Sequence, residues 1–143
     1  MPYHFLEDVA TADIAFEAWG ETLEETFMAA AEATMNVMIE TLDSIEPRER
    51  REFTVENEAL DMLLFNFLQE LIFLKDSERL LLRVREAKID GEDGPYRVKV
   101  VAQGEQLDPD RHEQRVDVKA VTLHQFCLQE TDRGWLANVI LDI

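Results

Sequence analysis

The chain has 143 residues, 46% of them hydrophobic, which suits one core-forming domain and excludes a disordered chain. Its net charge of −17, from 31 acidic against 14 basic residues, argues against nonspecific nucleic-acid binding and against an anionic membrane surface, because both need Lys and Arg to neutralise phosphates. An acidic surface suits cations, basic protein partners or solubility alone.

A single cysteine, Cys127, rules out an intrachain disulfide and fits a reducing compartment. Met1-Pro2-Tyr3-His4 has neither the basic region nor the apolar run of a signal peptide. The most apolar stretch, Leu60 to Leu74, contains Asp61, Asn66, Gln69 and Glu70 and reads as a buried amphipathic helix, not a membrane span. A cytoplasmic location is expected.

In chain order, Tyr3 to Glu7 reads as a short strand and Ala12 to Trp19 as a better one. Ile14, Phe16 and Ala18 share one face, and Asp13, Ala15 and Glu17 the other. Gly20 ends it. Thr22 with Glu25 three residues on is a capping-box pattern. From Leu23 to Leu42 an apolar stripe recurs at helical spacing, and the helix must stop before Pro47. Glu46 to Arg51 reads as a charged turn, with a brief alternation over Glu52 to Glu56. A second helix runs from about Asn57 to Lys75. Leu80 to Ile89 and Tyr96 to Ala102 form a hairpin around Asp90-Gly91-Glu92-Asp93-Gly94. Gln103 to Arg115 reads as a polar loop and Val116 to Gln129 as one long strand. A turn at Thr131 to Gly134 then leads into a last strand, Trp135 to Ile143. The expected fold is α+β, a single domain over residues 1–143, with two main helices on a largely antiparallel system of six or seven strands.

Conventional catalytic constellations are missing from the pattern. The two serines, Ser44 and Ser77, lie in polar connections. His124 and Cys127 are three apart in a predicted strand and so face opposite ways. The five glycines are scattered, and His4, His112 and His124 have no zinc spacing and suit ordinary polar or core roles. Two aspartates stand out instead. Leu136, Asn138, Ile140 and Asp142 share a face, so Asp142 closes a largely apolar row, and Asp13 does the same beside Ala15. Two carboxylates with a chain-end carbonyl or carboxylate would make an oxygen-only site, which prefers calcium or magnesium; alternatively each aspartate simply ends a strand in water. Lys119 shares a predicted face with Val121, Leu123 and Cys127, and either snorkels to solvent or sits against a carboxylate.

Thr11-Ala12-Asp13-Ile14, followed by Gly20-Glu21-Thr22-Leu23-Glu24-Glu25-Thr26-Phe27, resembles the opening of the archease family. Phe67 to Leu74 is similar to that family's second helix. Gly104-Glu105 through Asp108, then Arg111-His112, then Val118-Lys119-Ala120-Val121-Thr122-Leu123-His124, match in order, as does Trp135 to Ile143. One departure is that Glu7-Asp8-Val9-Ala10 precedes Thr11, where the family usually carries a histidine; that residue's role cannot be carried over. The resemblance implies a protein that is not itself an enzyme and that activates a GTP-dependent tRNA-splicing RNA ligase, promoting guanylylation and multiple turnover. It implies a divalent cation, calcium, held by Asp13, Asp142 and the main-chain carbonyl of Ile143, and a role for Lys119 in activating the ligase. A broader chaperone or adaptor role for RNA-processing enzymes is the alternative, and a metal-dependent hydrolase using the two aspartates is a third.

Overall fold

The computed structural model describes residues 2–6 and 13–143. The order is β1 (Tyr3–Leu6), β2 (Asp13–Gly20), α1 (Leu23–Met38), β3 (Glu49–Asn57), α2 (Leu60–Glu78), β4 (Leu80–Asp90), β5 (Tyr96–Gln106), β6 (Ala120–Val121), β7 (Cys127–Thr131) and β8 (Gly134–Asp142), with a short 3-10 turn at Leu42–Ser44. These make two sheets with every ladder antiparallel. In the larger sheet β8 is central: β2 pairs along one edge, with β1 beyond it, while β6 and β7 share the other edge. The smaller sheet runs β3-β5-β4. The α+β expectation holds, with eight strands among the described residues.

α1 lies between the sheets, against β2 and β8 on one side and β4 on the other. Small side chains permit this: Ala29, Ala30, Ala31 and Ala33 are all buried, so the helix is apolar over more of its girth than its stripe implied. Thr22 caps it, its Oγ1 accepting from Glu25 N at 3.1 Å. The helix stops at Met38, well short of Pro47, because Asn36 Nδ2 donates to Ile39 O and Glu40 O and Ile39 leaves in extended form to bridge Gln114. α2 packs on the smaller sheet and touches β6 and β7. It begins at Leu60, later than expected, since Asn57 ends β3 and holds Ala59 N and Asn66 with its amide. Phe27 of α1 and Phe67 of α2, both fully buried, meet with ring centroids 5.3 Å apart at the centre of the core.

Three sequence expectations are corrected. The charged turn from Glu46 is already β3 from Glu49, nine residues whose alternation turns Arg51, Phe53 and Val55 inward. The loop expected from Gln103 begins as strand, because β5 continues to Gln106. Gly104 lets it press on β4, where a Cβ would lie 1.7 Å from Leu81 O. The long strand from Val116 to Gln129 is broken. β6 and β7 both lie on β8, but Ala120 to Cys127 must face only Asn138 to Asp142, and the surplus loops out. Gln125 adopts a left-handed φ of 53° there, Phe126 N donates to Leu123 O, and Phe126 packs edge-on against Phe65. His124 and Cys127 are therefore not alternate residues of one strand, and Lys119, Leu123 and Cys127 share no strand face.

Candidate functional site

The alternation that put Asp13 on a row with Ala15 and Asp142 on a row with Ile140 is realised. Asp13 pairs with Asp142, Ala15 with Ile140 and Glu17 with Asn138, so each pair projects from one face of the sheet. Side chains opposite one another across such a ladder have Cβ atoms about 5 Å apart. On the other edge of β8 Ala120 pairs with Asp142, and Lys119 N donates to Asp142 O at 2.8 Å. The structure thus brings Asp13, Asp142 and the backbone of Lys119 to one end of the sheet, with Ile143 following directly. Both aspartates are half-buried and Lys119 is exposed. Among the described residues, none of the three side chains forms an ion pair.

α2 fixes the segment that carries Lys119. Gln69 Oε1 accepts from Val121 N at 2.9 Å, and Lys75 Nζ donates to Val118 O at 2.9 Å and to Asp117 at 2.5 Å. Burial pulls the Lys75 ammonium down, but its bonds to Asp117 and Asp76 outweigh that and hold it above its ordinary value. Lys75 closes the expected second helix, yet its role was invisible in the sequence, where a lysine in the last helical turn reads as a solvated charge.

A second cluster escaped the sequence reading. Glu105, 3% exposed, and His112, 1% exposed, are buried together where β5 ends. His112 Nδ1 accepts from Asp108 N at 2.9 Å, so the ring's proton sits on Nε2 and is donated to Glu105 Oε2 at 3.0 Å. Glu105 Oε2 also accepts from Glu46 N at 2.7 Å, while Oε1 meets Arg48 at 3.1 Å and Arg111 closely. Burial raises the Glu105 carboxyl, but Arg111, the Glu46 N–H and His112 prevail and bring it to about 2. The signal was Gly104-Glu105 continuing an alternating strand, where a carboxylate on an inward position demands partners. His112 has the core role expected of it.

The whole chain compares with known proteins in one direction. Residues 3–143 match the model of the archease protein family (MTH1598/TM1083). The chain belongs to the archease family. It is 41% identical over 134 residues to the protein archease of Pyrococcus abyssi, covering 93% of this chain and 94% of that one. To the archease of Methanosarcina acetivorans it is 39% identical over 142 residues, covering 99% and 95%. The solution structure of Methanobacterium thermoautotrophicum protein 1598 superposes with a TM-score of 0.85 at 38% identity, covering 99% of both chains. A crystal structure of an archease from Thermotoga maritima, described as a possible chaperone, shares the fold at a TM-score of 0.59 and 20% identity, covering 98% of both. The archease motif around Gly104 and His112 is, in this chain, the buried ion-pair cluster. The departure before Thr11 lies outside the described residues.

Among the described residues no three His, Cys, Asp or Glu side chains come together as a metal cage. The archease tip instead offers a pair of carboxylates with main-chain oxygen beside them. Its donor chemistry suits a hard cation: every candidate ligand is oxygen, and the two carboxylates face each other with no cation from the described residues between them. Thr122, whose N–H donates to Ile140 O at 3.0 Å, adds a buried Oγ1 lacking a hydrogen-bond partner among the described residues. No helix of the described residues is long and apolar enough to cross a membrane.

Proposed function

We propose that this archease acts as a protein cofactor of a GTP-dependent tRNA-splicing RNA ligase, promoting its guanylylation and multiple turnover without catalysing a reaction itself. The observation that carries the reading is the register of Asp13 on Asp142, with Lys119 hydrogen-bonded to Asp142 through its backbone. These are the positions at which the sequence resembles the functional residues of the family. Asp13, Asp142 and the carbonyl of Ile143 would hold a divalent cation, calcium or magnesium by the hardness of the donors and calcium by the family resemblance. When bound, the cation supplies the positive charge that relieves two opposed carboxylates. The protein's own part is to present this tip rigidly. β8 is flanked on both edges there, and Gln69 and Lys75 fix the segment bearing Lys119, whose exposed ammonium has no ion pair among the described residues and would meet the partner. A net charge of −17 favours a cationic cleft on the ligase over RNA as the surface engaged.

The test is RNA joining with the ligase limited to one turnover. Adding this protein restores turnover, and Asp13→Ala removes the effect while the thermal midpoint stays within a few degrees. Normal activation by a folded Asp13→Ala variant refutes the site. A general chaperone role is the second reading, favoured by the Thermotoga relative, which is described as a possible chaperone. It requires suppressed aggregation of unrelated proteins, equally by the native chain and by Asp13→Ala.

A further inference from the structure

A cavity of about 840 Å³ among the described residues lies far from the aspartate tip. It opens at the other end of β2 from Asp13, roughly 20 Å away at about 3.3 Å per strand residue. Trp19 and Trp135, the only two tryptophans of the chain, line it, with Met28 and Leu136 as further apolar wall. Trp19 is 37% exposed. Its ring meets His4 with centroids 5.3 Å apart and planes tilted by 55°, whereas Trp135 pairs with no other aromatic ring among the described residues. Glu21 and Glu25 stand at the rim, exposed and without an ion pair among the described residues.

The inner charges largely cancel. Arg83 is paired: its Nη2 donates to Glu32 at 2.7 Å and its Nη1 to Asp43 at 3.0 Å. Its Nε and Glu32 Oε2 both lack a hydrogen-bond partner among the described residues, so neither sign dominates there and the exposed Glu21 and Glu25 set the charge of the rim. Arg133 is the other basic residue lining the cavity, on the turn between β7 and β8. Aromatic faces beside unneutralised carboxylates are the chemistry that recognises an organic cation on an apolar stem. We propose that this groove binds a segment of a partner protein that presents arginine or lysine beside large aliphatic residues.

Other occupants fit less well. A nucleic acid would bring phosphates to Glu21 and Glu25 on a chain of charge −17, and a second copy would bring another −17. A free polyamine would satisfy the rim and leave the apolar walls in water. The proposal does not depend on the aspartate tip.

The two tryptophans make intrinsic fluorescence a direct reporter, since both line the cavity. The native chain is titrated with acetyl-Leu-Arg-Ile-Arg-Leu-amide, with the same peptide carrying glutamate for arginine, and with spermine. A saturable change with the arginine peptide alone is expected. Its Kd should rise about tenfold or more in the Glu21→Gln/Glu25→Gln double variant, whose rim carboxylates are lost without touching the core, and stay unchanged in Asp13→Ala. Met28→Lys, which fills the groove with a charge, should abolish binding. The proposal is overturned if the arginine peptide gives no saturable change, if the glutamate peptide or spermine binds as tightly, or if the double variant binds like the native chain. Failure here leaves the ligase reading standing, and loss of activation in Asp13→Ala with peptide binding intact separates the two.

Discussion

Asp13 and Asp142 are like charges that the β-ladder holds opposite one another, and that arrangement has a cost when nothing lies between them. Opposed like charges across a strand pair destabilise by roughly 0.2–1 kcal/mol. Without divalent cation, Asp13→Asn should therefore be as stable as the native chain or slightly more so. Calcium should reverse the order, raising the native midpoint as ligand binding to the folded state requires, and leaving Asp13→Asn nearly unmoved. Thermal unfolding with chelator and with calcium checks both halves. A native midpoint indifferent to calcium and to magnesium, or a variant that gains as much as the native chain, removes the cation from this site. The face each aspartate occupies was legible because a period of two fixes which side chains share it; that the pair forms a site rested on the resemblance to the archease family, since spacing alone left each aspartate able simply to end a strand in water. Lys119 was legible only in part. Its nearness to Asp142 comes from β6 joining the edge of β8, and no local pattern announces a two-residue strand.

At the scale of elements, Glu105 ties together three pieces of chain: the end of β5, the 107–112 connection and the approach to β3 through Glu46 and Arg48. Its carboxyl is lowered from 4.5 to about 2, so the folded state favours the charged form. A depressed carboxyl contributes stability that is fully present above the unfolded value, 4.5, and is lost as pH falls through the folded value, about 2. Glu105→Gln should cost about 1.5–3 kcal/mol at neutral pH, the usual worth of hydrogen bonds to charged groups. The difference from the native chain should narrow from pH 4.5 downward and close near pH 2. Denaturant unfolding of both proteins across that range measures it, and a gap that persists undiminished in acid would show that charge is not what Glu105 contributes. This cluster also explains one misreading. Gln103 to Arg115 is polar in composition, and composition cannot tell solvated charges from charges that satisfy one another in the interior. The break between β6 and β7 was hidden for a different reason. Val116 to Gln129 keeps β-compatible residues throughout, while the loop is forced by how little of β8 remains for it to pair with.

For the molecule as a whole, the helices and the hairpin of β4 and β5 followed from periodicity, but their arrangement did not. α1 is buried between two sheets because its alanines permit close approach on more than one side, and the partner on each side comes from distant sequence. The charge acts at this largest scale too, and it separates the approach to a partner from the contact itself. With −17 on the chain, association with the cationic cleft of the proposed ligase partner should be steered from outside contact distance. Screening shortens that reach from about 10 Å at 0.1 M salt to about 3 Å at 1 M. The association rate constant should therefore fall steeply with salt while dissociation changes less, because the tip contacts are short-ranged. Activation of the ligase at limiting concentrations of this protein should weaken accordingly, and saturating concentrations should recover most of it wherever the ligase alone tolerates the salt. Stopped-flow association with the ligase over that salt range is the measurement. An association rate that is flat or rising with salt would mean that the acidic surface serves solubility and that the tip finds its partner without electrostatic help.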